Sequence, residues 1–354
     1  MVFKGVVVPA SATAPPLGWP LPALQLVANR PIVCHVLSEL RKAGVREAAL
    51  VIAAGHAGEL VAHLERDTPA EMRVECIGYG EERTLEQALA QAAEFVGEQP
   101  CIVHAQDGLL AQPLAPLKRL LRGGAPDLLT LVKQSAEETN AIGLPTRRLL
   151  RLATAAPAAH PIALVGVRLF GEGALRRADG LGWWPESELD LVSLAERLIG
   201  DGGRLRVETV RGWQRYTGRA RDLLELNRFA LDTLAAAAPP AAPAADADSR
   251  IEGAVAIDPS AGVRSSVIVG PAVIGAGASV VESYIGPYTS IGAGALIEGA
   301  EVERSVILPG ASIMHVGGRL TGSVVGRDAR VFRDFSLPRA LRLNVCDGAE
   351  VALC

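Results

Sequence analysis

Residues 268–281, IVGPAVIGAGASVV, and 284–297, YIGPYTSIGAGALI, decide the fold of the second half of this chain. Aliphatic residues recur six apart at Ile268, Ile274 and Val280, step by five to Ile285, and resume six apart at Ile291 and Ile297. Glycine or proline repeatedly follows them. Each unit supplies one short strand with its aliphatic side chain pointing inward, and glycine or asparagine-like residues turn the corner. No single turn can bury its own core, so the units must stack. Recurrence of this kind specifies a left-handed parallel β-helix of hexapeptide repeats. An Ile/Val-rich sandwich is the competing reading, but its strands would come roughly 8–12 residues apart. The β-helix is expected over 250–354, with Ala340 to Leu353, where the period is lost, capping the last coil.

Upstream, residues 235–249 read AAAAPPAAPAADADS, where alanine and proline replace every large apolar residue. This is expected to be a linker. Before it, residues 1–234 alternate short apolar runs with helical patterns. Val6 to Val8, Ala48 to Ile52, Arg73 to Ile77 and Cys101 to His104 read as buried strands. Pro31 to Ala43, His56 to Leu64 and Leu85 to Val96 carry apolar residues at three- and four-residue spacing and read as helices, the first with proline in its opening turn. Repeated strand–helix–strand order predicts an α/β domain, a mostly parallel sheet with helices on both faces.

Composition narrows the partners. With 49% hydrophobic and 21% charged residues and a net charge of −4, the chain is neither a disordered polymer nor a nucleic-acid binder. Small molecules or other proteins are the expected partners. No stretch has the length of a membrane span, and the opening MVFKGVVVPASA is too weakly hydrophobic for a signal peptide, so a cytoplasmic location is expected. The five cysteines, Cys34, Cys76, Cys101, Cys346 and Cys354, include no C-x-x-C pair, and neither a disulfide framework nor a structural zinc is expected.

The stretch KGVVVPASA…LQLVANRPIVCHVLSELRKAGVREAALVI resembles the opening of sugar-1-phosphate nucleotidyltransferases, and the long form of glucose-1-phosphate thymidylyltransferase fits best. HAQDGLL, IALVGVRLF, ELDLVSLAERLIGDGGRLR, GWQRYTGRARDLLELNR and the ending PRALRLNVCDGAEVALC follow in that family's order, so the resemblance spans essentially the whole chain. It implies a Rossmann-like nucleotidyltransferase domain and a reaction joining a nucleoside triphosphate to a sugar 1-phosphate with release of pyrophosphate. Two mutually repelling anions must then be held in line, which calls for cations and Mg²⁺.

Compared position by position, the motifs depart from what that chemistry needs. Ala10 and Ser11 stand where the family's nucleotide-binding glycine pair belongs, and no arginine or lysine occurs between Lys4 and Arg30. Counting back from VANRPI, the family's lysine falls on Pro22. The Glu-Lys-Pro element, counted back from ALVGV, falls on Ala153, Thr154 and Ala155. Of the two metal-binding aspartates, Asp107 persists and the other is replaced by Tyr216, whose phenol ordinarily stays protonated near neutral pH, since its unperturbed pKa is about 10. Glu188 matches a position facing the sugar. Arg83 and Thr84 fall in the base-recognition loop, where Glu86 also departs from the expected pattern. Arg215 neighbours Tyr216 and is placed to meet a sugar phosphate.

Several readings stay open at this stage. One is a non-catalytic homologue that binds a nucleotide or nucleotide sugar, or acts as scaffold or regulatory subunit in a homo-oligomer or in a hetero-oligomer with an active relative. The second is an active, divergent Mg²⁺-dependent enzyme using Asp107 with Arg83, Arg215 or Lys4. A third makes the repeat domain an acyltransferase with His315 as base. The bland alternatives are solvated surface arginines, Asp107 as a turn cap, a structural His315, and Trp183, Trp184 and Trp213 packed as core.

Overall fold

The computed structural model describes residues 2–8, 22–56, 58, 60–61, 63–64, 71–105, 108–121, 126–134, 144–153, 162–178, 188–237, 246–336 and 351–352. Ala10, Ser11, Asp107, Thr154, Ala155, Trp183, Trp184 and almost all of the expected C-terminal cap lie outside these. The chain folds as two compact units. One is Met1–Ser11 with Ile32–Arg215, and the other is Ala12–Pro31 with Tyr216–Cys354.

The first unit is built on a seven-stranded sheet. Its strands are β1 (Lys4–Val8), β2 (Glu47–Ala53), β3 (Arg73–Tyr79), β4 (Cys101–Ala105), β6 (Leu128–Gln134), β7 (Ile162–Phe170) and β8 (Leu205–Val210), in the order β8-β6-β7-β4-β1-β2-β3. All neighbouring pairs are parallel except those made by β7, which runs antiparallel to both β4 and β6. A two-stranded ribbon, β5 (Gly108–Leu110) with β9 (Trp213–Arg215), lies outside this sheet. The four strands expected from apolar runs are β1 to β4, each a residue or two longer than the run. The helices are α1 (Ile32–Lys42), α2 (Leu85–Val96), α3 (Leu114–Arg119), α4 (Leu144–Leu152), α5 (Ala174–Arg177) and α6 (Glu188–Gly200). Gly58, Leu60, Val61, His63 and Leu64 are helical as well.

One face of the sheet carries the best-defined core. Val6, Val8, Ala49, Val51, Ile77, Val103, Leu128 and Phe170 pack against Ala88, Leu89, Ala92, Ala93 and Val96 of α2 and Leu191, Leu194, Ala195 and Leu198 of α6. The three- and four-residue spacing of these helical positions is what aims one stripe at the sheet.

In the second unit the hexapeptide units become three five-stranded parallel sheets. Arg250 pairs with Val267, Val267 with Tyr284 and Tyr284 with Glu301, a step of 17 residues each time. The spacings of six, six and five seen in the sequence are therefore one complete coil of the left-handed β-helix. Ile268, Ile285 and Val302 stack in one sheet, Ile274, Ile291 and Ile307 in the next, and Val280, Ile297 and Ile313 in the third, all buried.

Two features of the corners differ from expectation. Glycine is not required at every left-handed position: Ser265, Glu282, Tyr288, Arg304, His315 and Asp328 also adopt positive φ. Moreover, one corner is held by a serine ladder. The Ser266 and Ser283 amides each donate to the hydroxyl oxygen one coil earlier, at 3.1 Å, and both hydroxyls donate back to the carbonyls two residues before them, at 2.7 Å. Such reciprocal bonding satisfies corner groups that water cannot reach.

Helix α7 (Ala220–Ala237) belongs to this second unit, so the expected boundary at 235–249 falls inside it. Asn227 on α7 is buried. Its Oδ1 accepts from the Ala28 amide at 2.9 Å and the Ser290 hydroxyl at 2.6 Å, and its Nδ2 donates to the Tyr288 carbonyl at 3.1 Å. Asn29 adds a bond to the Ile291 carbonyl at 2.7 Å. One side chain thus ties the segment around Ala28 and the helix to the β-helix. Among the described residues no helix is long and apolar enough to cross a membrane.

Candidate functional site

In an open sheet of this kind ligands bind outside the carboxyl ends of the parallel strands. Ala10 and Ser11 follow the end of β1, Asp107 follows β4, and Arg83 and Thr84 follow β3. The parallel strands β1, β4 and β3 that precede these positions in sequence end on one edge of the sheet, although β3 lies three strand spacings from β4, about 14 Å along it.

Arg83 and Thr84 are engaged in local structure. Thr84 caps α2: its hydroxyl accepts from the Gln87 amide at 3.3 Å, and the Gln87 side chain accepts from the Thr84 amide at 2.9 Å. Arg83 closes a turn through its carbonyl to the Gly80 amide, 2.7 Å, and its guanidinium donates to Gln91, 2.6 Å. Helix α2 is thereby started at Leu85. Thr84→Ala is expected to cost about 1 kcal/mol of stability, the usual worth of such a cap; denaturant unfolding with an unchanged midpoint would contradict it.

At the other end of this edge the ribbon brings the residue after Asp107 against the Trp213 segment. Gly108 pairs with Arg215 and Leu110 with Trp213, and the Lys133 ammonium donates to the Trp213 carbonyl at 2.7 Å. The indole is buried, with its ring centroid 5.5 Å from that of His104. It lies against two glycines. A Cβ on Gly108 would meet the indole at 2.5 Å, and one on Gly166 would meet the Ala105 carbonyl oxygen at 2.0 Å and the indole at 3.0 Å. Trp213 is therefore packed core in a space that two glycines keep open. Isolated glycines inside apolar strand patterns are the signal for such close approach, and Gly108 and Gly166 are the residues that motif reading passes over. Arg215 itself is exposed.

Other expected positions are occupied differently. Lys4 opens β1, at the opposite edge from the site, and its ammonium donates to the Phe95 carbonyl and lies 4.4 Å from that ring's centroid. That removes Lys4 from any catalytic role at the carboxyl edge. Pro22 is buried in a short 3-10 turn, Pro22–Leu24, and Ala153 directly follows α4. Glu188 is the first residue of α6, and its side chain lies outside the described ones. His315 sits at a β-helix corner with its imidazole 3.5 Å from the Glu298 carboxylate.

Tyr216 stands where the family resemblance implies a second metal-binding carboxylate. Its side chain is only 2% exposed, and its hydroxyl donates to Gln25 Oε1 at 3.3 Å. Burial, with the charge of Asp222 adding to it, pushes the phenol well above its ordinary pKa. A neutral, enclosed phenol is a poor partner for Mg²⁺, which takes carboxylate and water oxygens. Position 216 does not fit the ion that the family resemblance implies. Among the described residues no group of three or more His, Cys, Asp or Glu side chains could hold a metal.

The architecture is that of a nucleotidyltransferase-type domain joined to a β-helix, and comparison with known proteins agrees. The family described as nucleotidyl transferase matches residues 18–143. Glucose-1-phosphate thymidylyltransferase of Streptomyces griseus is 31% identical over 333 residues, covering 92% of each chain. The protein of that name from Streptomyces antibioticus is 27% identical over 339 residues, covering 93% of each. The low-salt glycan biosynthesis nucleotidyltransferase Agl11 of Haloferax volcanii is 26% identical over 339 residues, covering 92% of each. The chain belongs to the sugar-1-phosphate nucleotidyltransferase family.

Proposed function

We propose that this chain is a degenerate member of its family, one that binds a nucleotide or nucleotide sugar as a scaffold or regulatory subunit and does not make nucleotide sugars efficiently. The observation that carries this reading is Tyr216, a buried phenol held in its neutral form at a position where the reaction calls for a metal-binding carboxylate. Pro22 and Ala153, at positions that the family fills with charged residues, support it. Each lost charged contact to a phosphate forfeits roughly 1.5–3 kcal/mol, and two or three together amount to on the order of a thousandfold in rate.

A second reading, an active divergent enzyme of the dTDP-glucose-forming type, draws on the 31% identity that runs along 92% of the chain. The two separate in one assay. With dTTP or UTP, glucose 1-phosphate and Mg²⁺, pyrophosphate release is expected on the order of a thousandfold below that of the Streptomyces griseus enzyme under the same conditions. Release at a comparable rate would overturn the proposal. Calorimetric titration with the same nucleotides and with dTDP-glucose tests the binding role directly. The flat outer faces of a β-helix favour assembly, either with itself or with an active relative, and a cytoplasmic setting accords with that role.

A further inference from the structure

The three outer faces of the β-helix are not alike. The second sheet is met by α7, whose Asn227 takes the hydroxyl of Ser290 in that sheet. The first sheet turns paired charges outward: Arg250 meets Glu252, and Arg319 meets Glu301 and Glu303 while lying 5.1 Å over the Tyr284 ring. Exposed ion pairs of this kind are at home in water. The third sheet, made of Gly262–Arg264, Ser279–Val281, Leu296–Glu298, Ser312–Met314 and Arg330–Phe332, carries something else.

In these strands the middle residues Val263, Val280, Ile297 and Ile313 are buried, so the residues on either side of them point out. Strand register stacks the outward residues into two ladders. One reads Gly262, Ser279, Leu296, Ser312, Arg330, and the other Arg264, Val281, Glu298, Met314, Phe332. Val281, Leu296 and Met314 are partly exposed and Phe332 is 52% exposed. Phe335, 68% exposed, extends the patch past the His315 corner, its ring 6.2 Å from the imidazole. Apolar side chains thus climb from the second coil to the last on one face. A contiguous patch of this sort marks an interaction surface.

The two ladders differ in size in a way that a second copy of the chain satisfies. A two-fold axis parallel to the coil axis brings this face against itself and exchanges the ladders, level by level. It sets Gly262 of one copy opposite Arg264 of the other, Ser279 opposite Val281, and Ser312 opposite Met314. Small meets large at each of these levels, as face-to-face sheets about 10 Å apart require if their side chains are to interdigitate. At the last level Arg330 comes opposite Phe332, a cation over an aromatic ring. At the middle level Leu296 comes opposite Glu298, whose carboxylate lies 3.5 Å from the His315 imidazole at the adjoining corner.

We propose that the outer face of the third sheet is the contact between two copies of this chain, their β-helices side by side and pointing the same way. The inference rests on the assembly role proposed above and names its partner and surface. Five strands span only roughly 20 Å, so the contact falls at the low end of interface sizes and a dissociation constant in the micromolar range is expected.

The test is sedimentation equilibrium of the full chain, without nucleotide, from about 1 to 200 µM, a range that brackets such an affinity. A reversible monomer–dimer equilibrium is expected. Met314→Glu, which sets a charge opposite Ser312, should weaken the dimer at least about tenfold. Val267→Glu, the same kind of change on the first sheet, should leave it unaltered. Thermal unfolding midpoints close to that of the natural chain verify that the variants fold; should Met314→Glu fail, Ser279→Trp overfills the level of Val281 and takes its place. A natural chain that stays monomeric, a trimer, or a dimer that Met314→Glu and Val267→Glu affect equally overturns the proposal. No catalysis is measured, so failure here is separate from failure in the pyrophosphate assay.

Discussion

Replacing Gly166 with alanine is expected to destabilise the first unit by roughly 3 kcal/mol or more, the upper range for overpacking a closed core. The added methyl would stand 2.0 Å from the Ala105 carbonyl oxygen, and backbone cannot swing aside as a flexible side-chain tip can. Either β4 or β7 must give, and the two are paired from Cys101 to His104. The same methyl would press on Trp213 at 3.0 Å, so the strain reaches the ribbon that follows Asp107 in sequence. Thermal unfolding followed by circular dichroism should show a midpoint lowered by roughly 6–12 °C. A midpoint unchanged to within a degree would mean that the glycine is not a packing requirement and that the indole lies elsewhere. Gly108→Ala, which meets the Trp213 ring at 2.5 Å, should act in the same direction.

The second large effect is expected in the other unit, at Asn227. Leucine keeps the branched shape, with two bulkier methyls in place of the amide oxygen and nitrogen, but leaves the Ala28 amide, the Ser290 hydroxyl and the Tyr288 carbonyl without their partner. Each unsatisfied buried group costs roughly 1–3 kcal/mol, so a loss of about 3–5 kcal/mol follows. Asn227→Asp keeps the two accepted bonds and loses the donated one, while adding a buried charge. It should still destabilise, though through a single broken contact and the new charge. Arg228→Ala, an exposed change on the same helix, should be close to neutral, because its ion pairs to Glu225 and Asp232 are exposed. Equal midpoints for Asn227→Leu and Arg228→Ala in urea would show that the tie contributes nothing.

The architecture was unusually legible in the chain itself. A β-helix repeats one local rule, so the six, six, five spacing of Ile268, Ile274, Val280 and Ile285 already contained the 17-residue coil. Strands β1 to β4 were legible for a similar reason: each is a short apolar run closed by turn residues, which is a local property. That proline stands at 22 and tyrosine at 216 was also legible, because a residue's chemical type needs no coordinates.

What neighbours those residues was not legible. That Tyr216 is enclosed and bonded to Gln25 depends on a contact between positions 191 apart in the chain. Lys4 looked available as a cation until strand direction placed it at the far edge of the sheet. Helix α7 followed the α/β pattern in sequence, yet Asn227 ties it to Tyr288 and Ser290 of the β-helix.

Thus periodicity and residue type were settled by the sequence alone: two folds in order, a β-helix core, and a stretch between Lys4 and Arg30 without a lysine or arginine. Only the tertiary structure decided which polar groups find buried partners, as with Asn227 at Tyr288 and Ser290, and which glycines are closed by a neighbour, as with Gly166 under Trp213. The physical reason is that burial and hydrogen-bond satisfaction depend on cross-strand register between residues far apart in the chain, which no local pattern records.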